Sequence, residues 1–406
     1  MRTLYGKLKY IEEFEKLGFG LFVYFGLYSI VGQGEWYYDW NPNADKQGYE
    51  KLTEQFLVNE AWAKDLVKAA KRAGCKYITL TTRHHDGFSL YDTCGLNSYD
   101  APHSACGRDL IREFVDACRE GDIVPFFYHT LLDWREKSYQ EDFSAYIDYL
   151  VKSIEILCTN YGKVGGFWFD GMWDKPNDDW QEDRLYGTIR KYQPEAMIIN
   201  NTGLSECGKV GHVEIDSVTF ERGKPAFVDN SDKYRAGEMC QVLNDHWGYA
   251  KNGCNYKSIN ELIENLIDCR LCNCNFLLNT GLRGDGTINP MDGCMLDQIG
   301  VWINANQGII YNAKKADIQA ENAELLFDGT YYYAILKSVA MRGDPNVAID
   351  KEEIRTVKLL TDNAVQGVCW LDNGRKVEVV DNKFQEESFC YGNSMAVRIA
   401  KIEFGE

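Results

Sequence analysis

The chain is poor in positive charge. Its 44 Lys and Arg stand against 61 Asp and Glu, a formal net charge of −17. Such a surface repels phosphate backbones and anionic lipid, which excludes nucleic acid and membrane surfaces as partners. A neutral or cationic small substrate fits better. No apolar run approaches 18 residues, so no membrane-spanning helix is expected. The first residues, MRTLYGKLKYIEEFEKLGFG, carry charges throughout and no apolar core of a secretion signal, from which a cytoplasmic location is expected. No G-x-G-x-x-G follows the first apolar run, and there is no P-loop, which disfavours an open nucleotide-binding sheet. Neither H-x-H nor H-E-x-x-H occurs, and no repeat or low-complexity tract is visible. No metal and no cofactor are expected.

Cysteine is plentiful but unpaired in pattern. The 14 cysteines are scattered, several within apolar segments such as those around Cys118, Cys158 and Cys269, and read as reduced, buried thiols. The cluster CRLCNC (Cys269, Cys272, Cys274) lacks the second pair that structural zinc wants, so packing is the preferred reading over metal.

What is present is a core of 45% hydrophobic and 13% aromatic residues along 406 positions, enough for two or three domains by length. Short apolar runs recur up to about residue 305: FGLFVYFG (19–26), KYITLTT (76–82), IVPFFYHT (123–130), GGFWFD (165–170), AMIINN (196–201), DSVTFE (216–221) and NFLLNTG (275–281). Continuous rather than alternating apolar runs mark strands buried on both faces. Amphipathic stretches lie between them. In EAWAKDLVKAAKRAG, Trp62, Leu66, Ala69 and Ala73 recur at helical spacing and Gly74 is placed as a C-cap. RDLIREFVDACREG and NELIENLIDCRLC repeat the pattern. Strand then helix over about 300 residues predicts a (β/α)8 TIM-like barrel, with a doubly wound sheet as runner-up. Beyond it, ELLFDGTYYYAILKS, TVKLLTD, AVQGVCWLDNGRKVEVV and SMAVRIAKIEF alternate with period two and carry D-G and N-G turn pairs. This predicts a catalytic domain over 1–308 and a C-terminal antiparallel β-sandwich over 309–406.

Barrel enzymes carry their chemistry at the C-terminal ends of strands. Here those ends are polar. The first run leads to Tyr24 and then to Glu35, Trp36 and Asp39; the second to Arg83, His84, His85 and Asp86; the third to Tyr128, His129 and Asp133. The fourth ends in Asp170, the only carboxylate of GGFWFDGMW; the fifth in Asn200 and Asn201; the sixth in Glu221 and Arg222. His246 and Trp247 follow CQVLND. Each has a plainer alternative. His84 and His85 could serve a turn or a metal, Glu35 a solvated loop, Glu221–Arg222 a surface ion pair, and Asp170 the cap of the next helix. Paired carboxylates among Trp, Tyr and His suit glycoside hydrolysis, in which one carboxyl attacks or activates water and the other supplies a proton.

Read in order, FGLFVYFGLYS, GEWYY, TTRHHDGF, YHTLLDW, NYGKVGGFWFDGMW and HWGY–NFLLNTGLRGDGTI resemble the α-L-fucosidases of glycoside hydrolase family 29, over about residues 18–290. The resemblance implies a barrel followed by a β-sandwich and a retaining, cofactor-free mechanism on fucosylated glycosides or oligosaccharides. It implies Asp170 as nucleophile and Glu35, Trp36, His84, His85 and Tyr128 or His129 as sugar contacts, with Trp247 near the pocket. Glu221, in DSVTFERG, is the choice for the acid/base; Glu206, Glu214 and Glu238 are the alternatives. Two departures bear on specificity: Tyr24 stands where many relatives have histidine, and Thr202 where many have arginine. A family member shifted to α-L-galactosides, or a catalytically weak sugar-binding protein, is the alternative reading.

Overall fold

The computed structural model describes residues 7–202, 209–342 and 354–405. Eight parallel strands close into a barrel in chain order. They are β1 (Phe19–Tyr24), β2 (Tyr77–Arg83), β3 (Val124–Thr130), β4 (Gly166–Asp170), β5 (Met197–Asn200), β6 (Ser217–Glu221), β7 (Ala236–Val242) and β8 (Cys274–Gly281). The ring closes where Phe19 of β1 registers with Phe276 of β8. Seven of these strands coincide with the apolar runs. The exception is β7, whose sequence AGEMCQV is interrupted by Glu238 and Gln241, yet every residue in it is buried.

Helices cover the outside. Trp62–Ala73, Leu110–Glu120, Phe143–Asn160, Glu182–Tyr192, Ile259–Leu271 and Pro290–Ala305 follow β1, β2, β3, β4, β7 and β8. Their apolar stripes hold the sheet from outside; in Leu110–Glu120 these are Leu110, Ile111, Phe114, Val115 and Cys118. Asp109 caps that helix by accepting from the Arg112 amide, and Gly74 closes Trp62–Ala73 in the left-handed conformation. Among the described residues, the β5–β6 and β6–β7 connections contain no helix, a departure from strict strand–helix alternation.

The barrel interior is filled with aromatic rings. Phe14, from the N-terminal helix Lys9–Leu17, plugs the lower end against Tyr77 and Phe126, with ring centres 5.7 and 5.6 Å apart. Phe22 packs on Trp168 at 5.0 Å and on Tyr128 at 5.9 Å. Gly20 makes room for this layer, since a Cβ there would sit 2.4 Å from the Tyr77 ring. Each aromatic contact is worth about 0.5–1.5 kcal/mol beyond its area burial. Stacking rings through the lower and middle barrel leaves only its upper mouth open.

The last barrel helix ends at Ala305, and the first C-terminal strand begins at Lys314. A six-stranded sheet and a three-stranded sheet follow. A core of Leu325, Leu336, Val357, Leu359, Trp370 and Phe384, drawn from both sheets, lies between them. The D-G pair turns as its sequence predicts: Asp328 accepts from the amides of Thr330 and Tyr331, and Phe327 pairs with Tyr332. The Trp302 indole donates to the Val397 carbonyl at 2.8 Å, fixing this region to the barrel. Among the described residues no helix is long and apolar enough to cross a membrane.

Candidate active site

A cavity of 760 Å³ opens at the C-terminal ends of the strands. Its wall includes Tyr24, Glu35, Trp36, His84, His85, Asp170, Glu221 and Trp247, so strand-end residues that are far apart in sequence meet in one place. Phe22, Trp168 and Cys240 also line it.

Asp170 ends β4. Gly171 follows with φ +103, and a Cβ there would meet the Leu132 amide at 2.9 Å, so the chain turns away sharply and leaves the carboxylate facing the mouth. The side chain caps no helix. It accepts from Tyr128 Oη at 3.2 Å, from Trp173 Nε1 at 3.1 Å and from Asn201 Nδ2 at 3.4 Å. Burial raises its pKa, and these donors oppose the rise.

Glu221 ends β6. The Asn201 amide nitrogen donates to it at 2.6 Å while also donating to Asp170. The Thr219 hydroxyl donates to Asn201 Oδ1 at 3.0 Å, which fixes which way the amide points. Burial pushes the Glu221 pKa up to about 7, and the negative charge of Asp170 adds to the effect. Two oxygens served by one nitrogen at these distances lie closer than the about 6.5–9.5 Å of an inverting pair, in the range where the second carboxylate can attack.

The other acid/base candidates lie elsewhere. Glu214 precedes β6 at the opposite end of the barrel and pairs with Arg190 at 2.9 Å, which lowers its pKa. Glu238 is inside the barrel and accepts from Tyr77 Oη and, at 3.0 Å, from Trp168 Nε1. Glu206 lies outside the described residues.

His84 and His85 are both buried, with ring centres 4.1 Å apart. Burial lowers both pKa values, that of His85 to about 3, so both rings are neutral. The Thr130 hydroxyl donates to the Leu132 carbonyl at 2.6 Å and therefore accepts from His85 Nδ1, also at 2.6 Å. This tautomer leaves His85 Nε2 as an acceptor, 3.6 Å from the Asp170 carboxylate. Glu35 accepts from the Gly248 amide at 2.7 Å, and burial raises its pKa. Tyr24 stacks on Trp247 at 5.8 Å. Arg222, in the left-handed conformation at φ 50, lays its guanidinium 5.0 Å over Trp247.

The expectation for His129 requires correction. Residues alternate sides along a strand. Tyr128 points inward to Asp170, and His129 points outward, its Nδ1 2.8 Å from the Thr130 carbonyl and its Nε2 3.5 Å from Tyr91 Oη. Asp86 and Asp133 are likewise structural. Asp86 accepts from Tyr49 Oη at 2.6 Å, and Asp133 from the amides of Arg135 and Glu136. Thr202 donates to the Lys209 carbonyl at 3.1 Å. Asn201 was visible in the sequence only as half of a strand-end pair. Its neighbour Asn200 points outward and donates to Tyr186 Oη at 2.8 Å. The CRLCNC thiols pack in the protein: Cys269 and Cys274 are buried, and Cys272 faces the Pro225 carbonyl. Among the described residues no group of three or more His, Cys, Asp or Glu is arranged to hold a metal ion.

Comparison with known proteins agrees with this fold. Residues 5–308 match the family model for alpha-L-fucosidase. Tissue alpha-L-fucosidase of Bos taurus is 27% identical over 359 residues, 80% of this chain and 74% of that protein. An alpha-L-fucosidase of Dictyostelium discoideum is 25% identical over 75% of this chain and 72% of its own. Among solved structures, alpha-L-fucosidase isoenzyme 1 from Paenibacillus thiaminolyticus superposes with a TM-score of 0.84 at 27% identity, covering 98% of this chain and 99% of that one. The chain belongs to the alpha-L-fucosidase family, glycoside hydrolase family 29.

Proposed function

We propose that the protein is a retaining α-L-fucosidase in which Asp170 is the nucleophile and Glu221 the general acid/base. In this reading residues 1–308 form the catalytic domain and 309–406 an appended β-domain. The observation that carries it is the carboxyl pair bridged by Asn201 inside an aromatic-walled cavity. Asp170, ionised and held by three donors, attacks the anomeric carbon. The glycosidic C–O bond breaks as Glu221 passes its proton to the departing oxygen, leaving a fucosyl ester on Asp170. Esterification removes the Asp170 charge, one of the causes that raise the Glu221 pKa. Glu221 is then a carboxylate suited to take a proton from water, which attacks the ester and frees fucose and Asp170. Neutral His84 and His85, with Glu35, Trp36, Tyr24 and Trp247, supply hydroxyl partners and ring faces for the sugar; Tyr128 holds Asp170 from below.

A reducing, cytoplasmic setting is part of this reading. It is supported by the described cysteines, all of which are free thiols.

The test is turnover of nitrophenyl glycosides, with the anomer first released followed by NMR. We expect the α-L-fucoside to be preferred over the α-L-galactoside and α-fucose to be the first product. First release of the β anomer would exclude the ester route. Fucose binding without turnover of any aryl glycoside would leave a sugar-binding protein.

A further inference from the structure

Trp40 is an exposed tryptophan on the wall of the cavity. It ends the short helix Tyr37–Trp40 and is 71% exposed, the most open of the large apolar side chains among the described residues. Its ring lies 4.4 Å from Trp36. Trp36 stacks on Trp173 at 5.9 Å and 28°, and Trp173 donates to Asp170. A strip of three indoles therefore runs from beside the nucleophile outward to solvent. Asn41, next to Trp40, adds an amide to the same wall. Open indole surface in water is unfavourable unless something covers it. Among the described residues the ring contact of Trp40 is with Trp36, and the cavity volume lies in the range of roughly 300–1,000 Å³ that holds ligands larger than one sugar ring.

Resting on the fucosidase reading, we propose that Trp40 is the platform of a second subsite, which holds the sugar of the leaving group by stacking on its C–H face. The strip starts at the residue bonded to Asp170, so it begins where the anomeric carbon is attacked. A second ring attached at that carbon is carried along it. A flat indole with an amide at its edge matches a neutral pyranose, which has one apolar face and an equatorial rim of hydroxyls. An anionic occupant is disfavoured by the net charge of −17 and by the carboxyls Glu35, Asp170 and Glu221 in the same wall. The subsite gives the enzyme a preference for fucosylated oligosaccharides over simple fucosides.

The test compares two substrates on the native chain and on Trp40→Ala and Trp40→Phe. The first is α-L-fucosyl fluoride, which has no leaving-group sugar. The second is whichever α-L-fucosyl disaccharide, among 1→2, 1→3, 1→4 and 1→6 linkages, the native chain cleaves best. For Trp40→Ala we expect kcat/KM on the disaccharide to fall about three- to tenfold, the range one aromatic contact is worth. Turnover of the fluoride and the melting temperature stay unchanged, and Trp40→Phe recovers part of the loss. An equal fall on both substrates would make Trp40 a support of the fucose pocket and overturn the proposal. So would no fall on either, or a native chain that cleaves the fluoride and none of the disaccharides. Failure of the native chain to cleave the fluoride sinks the fucosidase reading itself.

Discussion

Asp170 and Glu221 share one hydrogen-bond donor, the Nδ2 of Asn201, at 3.4 and 2.6 Å. The contact makes the two carboxyls a coupled unit. The charge on Asp170 raises the Glu221 pKa, while the Asn201 amide lowers it. Burial is the main cause of the raised Glu221 pKa, and one side chain, Asn201, contacts both members of the pair and opposes that rise.

The roles of the two carboxyls separate by substrate. Asp170→Gly should abolish turnover of every fucoside, because no ester can form. Glu221→Ala should lose about 10²–10⁴-fold on substrates with poor alcohol leaving groups and much less on an activated phenol. It should release the phenol in a burst, stall as the ester and be rescued by azide. Rapid-quench kinetics with dinitrophenyl fucoside would show this, and substantial activity in Asp170→Gly would refute the assignment.

Asn201→Ala removes two hydrogen bonds to carboxyl groups, each worth about 1.5–3 kcal/mol when the partner is charged. A drop in kcat is expected, and so is a shift in the pH profile. With Glu221 as the acid, its pKa of about 7 sets the expected alkaline limb of the native profile. Without the amide that stabilises the ionised form, this limb should move to higher pH. An unmoved limb in the pH dependence of kcat/KM would show that Glu221 is not the titrating acid.

The neighbouring histidines should part company. His85→Ala deletes an acceptor facing the cavity, so kcat/KM should fall by at least the about 0.5–1.5 kcal/mol of a hydrogen bond while the fold survives. His129→Ala deletes an outward-facing, fully buried ring and should cost stability, about 0.5–3 kcal/mol, with kinetics of the folded fraction intact. Calorimetric melting beside steady-state kinetics distinguishes the two; the reverse pattern would mean that the strand parity is misread.

Glu238 ties stability to pH. Its pKa is raised by burial from 4.5 to about 7. The native chain therefore holds a proton that the unfolded chain has released across that window. The contribution is fully present below pH 4.5 and is lost as pH rises through about 7. Glu238→Gln, which cannot ionise, should flatten the decline in unfolding free energy between those pH values. Urea unfolding at closely spaced pH values measures it, and an unchanged slope would assign the decline to other groups.

Much of this was legible in the sequence because it is local. Apolar runs bounded by turn residues mark strands, 3.6-residue stripes mark helices, and D-G marks the hairpin at Asp328, since each depends on neighbours a few residues away. Asp170 stood out for the same reason: a lone carboxylate closing an apolar strand is costly unless it is used. What stayed hidden depends on partners far along the chain. The run forming β7, AGEMCQV, is not among the apolar runs, because its Glu238 finds its partners Tyr77 and Trp168 on two other strands. Sequence preferred Glu221 to Glu214 and Glu238 only through a family resemblance; what separates them physically is which end of the barrel they occupy and which side of a strand they face. It could not say that Tyr128 faces in and His129 out, because a pleat has two sides and only register with β2 and β4 chooses between them. Composition and order determine that a barrel forms with carboxylates and aromatics at its strand ends. Only closure of the ring decides which of them share a cavity, since that choice rests on distances between residues that no local pattern relates.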